Sequence, residues 1–84
     1  MNKEVWTVYA IRSLHRNYIY VGLTSNIGAR LERHNRGYEK TTRPYAPFEL
    51  IYSEEVATRP EARIREKYWK SGTGKRKLKS IGSL

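Results

Sequence analysis

The sequence predicts a single α+β domain in the order ββαβα with a short closing helix. Its helices would flank a three-stranded antiparallel sheet. Three observations lead there. Runs rich in aromatic and β-branched residues recur at Val5–Ser13, Tyr18–Val21 and Phe48–Val56. Two runs with helix start and stop signals follow the second and third of these. All connections but one are short, which favours antiparallel neighbours over crossovers. The 84 residues suffice for one domain, taken as residues 1–84.

The first strand, Val5 to Ser13, alternates Val5, Thr7, Tyr9 and Ile11 with Trp6, Val8, Ala10 and Arg12. Neither set is clearly polar, so this strand is expected at the centre, covered on both sides. Leu14 to Asn17 is a polar connection of hairpin length. Tyr18 to Val21 returns, and the chain is expected to turn at Gly22. Thr24, Ser25 and Asn26 are all good helix N-caps. The helix they open is expected to stop near Asn35–Arg36, because Gly37 is a strong terminator. Within it Arg30 and His34 are four apart and share a face. Residues 37–47 read as a loop with two prolines and no periodicity. Phe48 to Val56 is the third strand. Thr58 with Glu61 makes a capping box, and Pro60 fits the first turn of the helix that Gly72 ends. Ala62, Ile64 or Arg65, Tyr68 and Trp69 are its expected apolar side. Lys75 to Ile81 is long enough for one more short helix.

Charge is the dominant global feature. Seventeen Lys and Arg against eight Asp and Glu give +9, and the pI is near 10.1. A basic balance of this size points to nucleic acid, the more so because tyrosines, Asn, Ser and Thr are interleaved with the cations. Lys40 and Arg43 in the loop, and Lys70, Lys75, Arg76 and Lys77 near the C-terminal end, are candidate phosphate contacts. Cysteine is absent, which excludes disulfides and thiolate metal sites. No apolar run approaches the ~20 residues of a membrane span, and no signal-peptide core begins the chain, so a cytoplasmic protein is expected.

Tyr9, then Tyr20-Val21-Gly22 eleven residues later, then Arg30, His34 and Glu66 form an ordered set. With the strand and helix types between them, the chain resembles the GIY-YIG nuclease domain from about Trp6 to Leu78. It is most similar to small single-domain bacterial members related to the nuclease domain of the repair excinuclease. Thr7 stands where the first motif has its glycine, and no asparagine follows Asn35, where the family often carries one near its end.

The resemblance implies a metal-dependent endonuclease hydrolysing DNA phosphodiester bonds, with a role in DNA repair or recombination. It implies a tyrosine as general base, with Tyr9 favoured, Tyr20 as the positioner of phosphate and water, and the reverse assignment open. A free phenol has a pKa of about 10, so cations nearby must favour its ionised form. Gly22 would let the nucleic acid approach. Arg30 offers a planar fork to a phosphate oxygen, and His34 would shuttle a proton or bind phosphate. Glu66 is the implied ligand of a single Mg²⁺ or Mn²⁺, which needs few protein oxygens; otherwise it is an i,i+4 partner of Lys70. The expected partner is DNA, with RNA and a protein partner open and no membrane. The competing readings are a GIY-YIG fold that binds nucleic acid without cutting it, and a small basic structural protein on RNA.

Overall fold

The computed structural model describes residues 5–82, so the frayed start expected at Met1–Glu4 and most of the tail lie outside the described residues. Its elements are β1 (Trp6–Ser13), β2 (Ile19–Thr24), α1 (Ile27–Asn35), β3 (Phe48–Val56), α2 (Arg59–Lys70) and α3 (Gly72–Gly82), with a single 3₁₀ turn at Arg43–Tyr45. The antiparallel sheet has the order β2-β1-β3. β1 is central, as its two apolar sets require. Val8 and Ala10 pack with Val21, Ala62, Trp69 and Leu78 on the side of α2 and α3. Tyr9 and Ile11 pack with Phe48, Tyr20, Ile27 and Leu31 on the side of α1.

Two expectations are corrected, and the choice between Ile64 and Arg65 falls to Arg65. β2 does not turn at Gly22: it continues to Thr24, and Gly22 stands opposite Tyr9 in the ladder. Backbone pairing with β1 is available through Thr24, which outweighs the weak strand propensity of one glycine. α3 begins at Gly72 rather than Lys75, leaving Ser71 as the only break after α2. Ile64 is 69% exposed, while Arg65 lays its guanidinium over the Tyr68 and Trp69 rings at 5.1 and 5.7 Å. The apolar stripe of α2 is therefore completed by an arginine stem.

Caps place the helices. Asn26 accepts from the Ala29 amide and starts α1. The Gly37 amide bonds the His34 carbonyl, and the Tyr38 amide bonds the Arg33 carbonyl, with Gly37 at φ +76°. This is a Schellman closure, which needs a residue tolerant of positive φ. Thr58 and Glu61 cap α2 as expected, the Glu61 amide donating to Thr58 Oγ1. The α1–β3 connection is not a solvated linker. It carries the 3₁₀ turn, stacks Tyr45 on Tyr18 at 3.8 Å, and buries Thr42 completely.

Candidate active site

A cleft of about 380 Å³ opens at the free edge of β2, between α1 and α2. Tyr20 and Gly22 from β2, Arg30 from α1, and Arg59, Arg63 and Glu66 from α2 line it. β2 supplies the first pair because Tyr20 and Gly22, two apart, face the same way. Arg59, Arg63 and Glu66 come together because spacings of four and three keep them on one face of a helix. Arg59 also stacks over Trp6 at 5.6 Å, which fixes its direction.

Tyr9 and His34 lie one layer below. Tyr9 is 0% exposed and His34 1%. The Tyr9 hydroxyl and His34 Nε2 are 2.8 Å apart, and His34 Nδ1 is 2.8 Å from Thr42 Oγ1. The Thr42 hydroxyl donates to the Glu39 carbonyl at 3.4 Å. With its hydrogen so used, Thr42 accepts from Nδ1–H, and Nε2 is left to accept the Tyr9 phenol proton. Gly22 makes the layer possible. A Cβ there would stand 2.6 Å from the Tyr9 hydroxyl oxygen and 2.8 Å from Cζ. Glycine thus serves a close approach of side chain to backbone rather than a turn.

Electrostatics follow from burial. Burial raises the Tyr9 phenol well above its usual range; Tyr20 adds to this, while Arg30 opposes it. Burial lowers His34, assisted by the charges of Arg30 and Arg33 and opposed by Glu39, so the imidazole is neutral at pH 7. Glu39 is itself held low, first by the hydrogen bond from Arg33, at 2.9 Å, and it stands 3.9 Å from Arg30. Arg30 is about a third exposed and reaches both the cleft and the Tyr9 layer.

Among the described residues no group of three His, Cys, Asp or Glu gathers to hold a metal ion. The cleft offers one carboxylate, Glu66, partly buried and 3.2 Å from Lys70. That donor set fits a hard divalent ion held by one carboxylate, phosphate oxygens and water. Glu54, Glu55 and Glu61 do not line the cleft. Glu54 accepts from Arg65, Tyr52 and Trp69, and the Arg65 guanidinium leads in holding its carboxyl down to about 2. Glu61 caps α2, and Glu55 stands opposite Thr7 on β3.

Of the residues predicted for the site, Tyr20, Gly22, Arg30 and Glu66 line one cleft, and Tyr9 sits behind Gly22. His34 shares the α1 face with Arg30 but is too deeply buried to touch a phosphate. Sequence reasoning misses Arg59, Arg63 and Thr42. The helical spacing of Arg59 and Arg63 to Glu66 is a usable signal for the first two; nothing local marks Thr42.

A family model described as the GIY-YIG catalytic domain matches residues 5–79. The chain belongs to the GIY-YIG family. It is 39% identical over 64 residues to a UPF0213 protein of Staphylococcus aureus, covering 75% of this chain and 78% of the relative. It is also similar to the solution NMR structure of a UPF0213 protein from Bacillus halodurans, at 28% identity and a TM-score of 0.54, over 92% of this chain and 84% of that one. Membership brings a nuclease family and a nucleic-acid substrate class, and no described helix is long and apolar enough to cross a membrane.

Within this GIY-YIG domain, Thr7 at the first motif's glycine position is buried in β1 opposite Thr24 and Glu55. The basic residues do not gather beside Glu66 as expected. Lys70 does, but Lys75 sits at the far end of the sheet with its amine on the Ile19 carbonyl. Arg76 reaches Thr73, and Lys77 covers the Tyr68 ring and bonds its hydroxyl. Lys40 and Arg43 lie on the α1–β3 connection outside the cleft, Arg43 bonded to the Gly37 carbonyl. Ser71 alone separates α2 from α3, and the partners of Lys75, Arg76 and Lys77 all lie outside the cleft.

Proposed function

We propose that this GIY-YIG domain is a metal-dependent endonuclease that hydrolyses DNA phosphodiester bonds. One observation supports this above the others: Arg30, Arg59, Arg63 and Glu66 face one cleft directly in front of a hydrogen-bonded phenol–imidazole pair. The three guanidiniums suit the oxygens of the scissile phosphate and its neighbours. Arg30 is the nearest to the reacting centre, because it also acts on Tyr9. A divalent ion held by Glu66 would supply positive charge against the negative charge that grows on the phosphoryl oxygens.

Tyr9 is the favoured base because its proton already has an acceptor; since Tyr9 is wholly buried, the water must reach its oxygen past Gly22, which carries no Cβ, as the cleft opens there. As a water oxygen forms its bond to phosphorus, the water proton passes to the Tyr9 oxygen and the phenol proton passes to His34 Nε2. The opposite P–O bond breaks, and the leaving oxygen is protonated from solvent. Burial keeps a free Tyr9 phenolate from forming beforehand, so the two transfers occur together. The Tyr20 hydroxyl has no hydrogen-bond partner among the described residues and faces the cleft, as a group that positions water or phosphate does. Thr42 holds His34 in the accepting tautomer.

The test incubates labelled single-stranded, duplex and branched DNA with Mg²⁺, Mn²⁺ or EDTA, for wild type, Glu66→Gln, Tyr9→Phe and Tyr20→Phe. The expected result is cleavage with metal, none with EDTA, and loss by about 10²-fold or more in Glu66→Gln and Tyr9→Phe. Loss in Tyr20→Phe with activity retained in Tyr9→Phe would transfer the base to Tyr20. Binding without cutting by wild type under every condition would make the domain a nucleic-acid-binding module instead.

A further inference from the structure

A second basic groove surrounds the β1–β2 turn, at the end of the sheet remote from the cleft. Two adjoining depressions share Asn17, Tyr18, Ile19 and Lys79; one adds His15 and Arg16, the other Lys75. Among the described residues no carboxylate lines either. Arg12, at the margin, is ion-paired with Glu49. Arg16 and Lys79 are exposed and form no ion pair among the described residues. Lys75 is anchored by its amine to the Ile19 carbonyl at 2.8 Å, and burial together with the charges of Lys70 and Lys79 lowers its pKa. Lys75 and Lys79 are thus held close enough to repel one another, with Arg16 beside Lys79 in the same groove, an arrangement that costs free energy unless an anion relieves it.

The groove is continuous with the cleft in charge. α2 starts beside the cleft with Arg59 and Arg63 and ends at Lys70, and Lys75 and Lys79 on α3 carry the series to the turn. The α1 side differs: Arg33 is paired with Glu39 and Arg36 with Glu32. Arg59, Arg63, Lys75 and Lys79 form no ion pair among the described residues and Lys70 is paired with Glu66, whereas beyond α1 the unpaired Lys40 lies outside the cleft. β2 from Ile19, which lines the groove, to Gly22, which lines the cleft, covers about 10 Å at the usual strand rise, the length of about three base pairs of duplex.

We propose that the substrate's flank leaves the cleft along the free edge of β2 towards the β1–β2 turn, where Lys75, Lys79 and Arg16 hold its phosphates about three or more base pairs from the scissile bond. This rests on the nuclease reading for the position of the scissile bond, but not for the binding itself. Such contacts set register and direction without reading bases. They make the site asymmetric: a flank on one side of the cut contributes affinity and the other does not.

The test measures duplex DNA binding by fluorescence anisotropy across a salt series, without divalent metal. The proteins are wild type, the double variant Arg16→Ala/Lys79→Ala, and Arg36→Ala as a surface-charge control. All three substituted side chains are exposed. The slope of log K against log salt is expected to fall by about 2 in the double variant and by much less in Arg36→Ala. In the cleavage assay, trimming one flank to fewer than about three base pairs should raise KM, and trimming the other should not. A double variant with the wild-type slope, or equal effects of trimming either flank, would overturn the proposal. Cleavage with an unchanged slope rejects the groove and keeps the nuclease; the expected slope change without cleavage keeps the groove and rejects the nuclease.

Discussion

Replacing Gly22 by alanine tests the layered arrangement of the site directly. Two effects oppose each other. Alanine restricts the unfolded chain, which stabilises by about 0.4–1 kcal/mol where the native geometry accepts it. Against this, its Cβ would stand 2.6 Å from the Tyr9 hydroxyl oxygen, 2.8 Å from Cζ and 3.0 Å from a Tyr20 ring carbon. Tyr9 cannot step aside cheaply: it is wholly buried and bonded to His34. Overpacking of this kind costs about 1–3 kcal/mol, and a broken buried hydrogen bond adds about 1–3 more. The clash wins by about 1–5 kcal/mol, and Tm should fall by roughly 4–40 °C for a domain of this size. Thermal unfolding by circular dichroism reads the loss. Tyr9→Phe/Gly22→Ala should be less destabilised than the two single changes summed, by about 0.5–2 kcal/mol, because the nearest clashing atom is gone. A Gly22→Ala protein melting with wild type, or strict additivity in the cycle, would refute the close approach of Tyr9 to β2.

The buried imidazole makes stability depend on pH. Burial lowers the His34 pKa, so as pH falls through about 6.5 the unfolded chain takes up a proton that the folded chain refuses; stability is complete above that range and declines below it. Urea midpoints between pH 7.5 and 5 should show this decline, and His34→Gln should flatten it, since the other histidine, His15, is exposed. Thr42→Val keeps the shape but strips the buried His34 Nδ1–H of its acceptor, and should cost about 1–3 kcal/mol in the same urea titration; an unchanged midpoint would show that the Thr42 bond does not hold the tautomer.

The sequence by itself determined the element types and most of their ends, because those signals are local. Asn26, Gly37, Thr58 and Glu61 cap or close helices through bonds spanning a few residues. The two apolar sets of β1 determined that it is central, since side chains that leave both faces of a strand must be covered on both. The order of Tyr9, Tyr20, Gly22, Arg30, His34 and Glu66 was enough to suggest a family. Tertiary structure decided depth and company. Periodicity places a side chain on a face of its own element, but only packing says what lies opposite. Packing put Tyr9 and His34 beneath Gly22 rather than in the cleft, and sank Thr42 from an apparent linker against the imidazole. The packing of α2 beside β2 brought Arg59, Arg63 and Glu66 to Tyr20, Gly22 and Arg30. The break at Ser71 sent Lys75 and Lys79 to the other end of the sheet. Charges adjacent in the chain were parted, and charges far apart were joined, because long-range contacts depend on how whole elements pack and not on their local propensities.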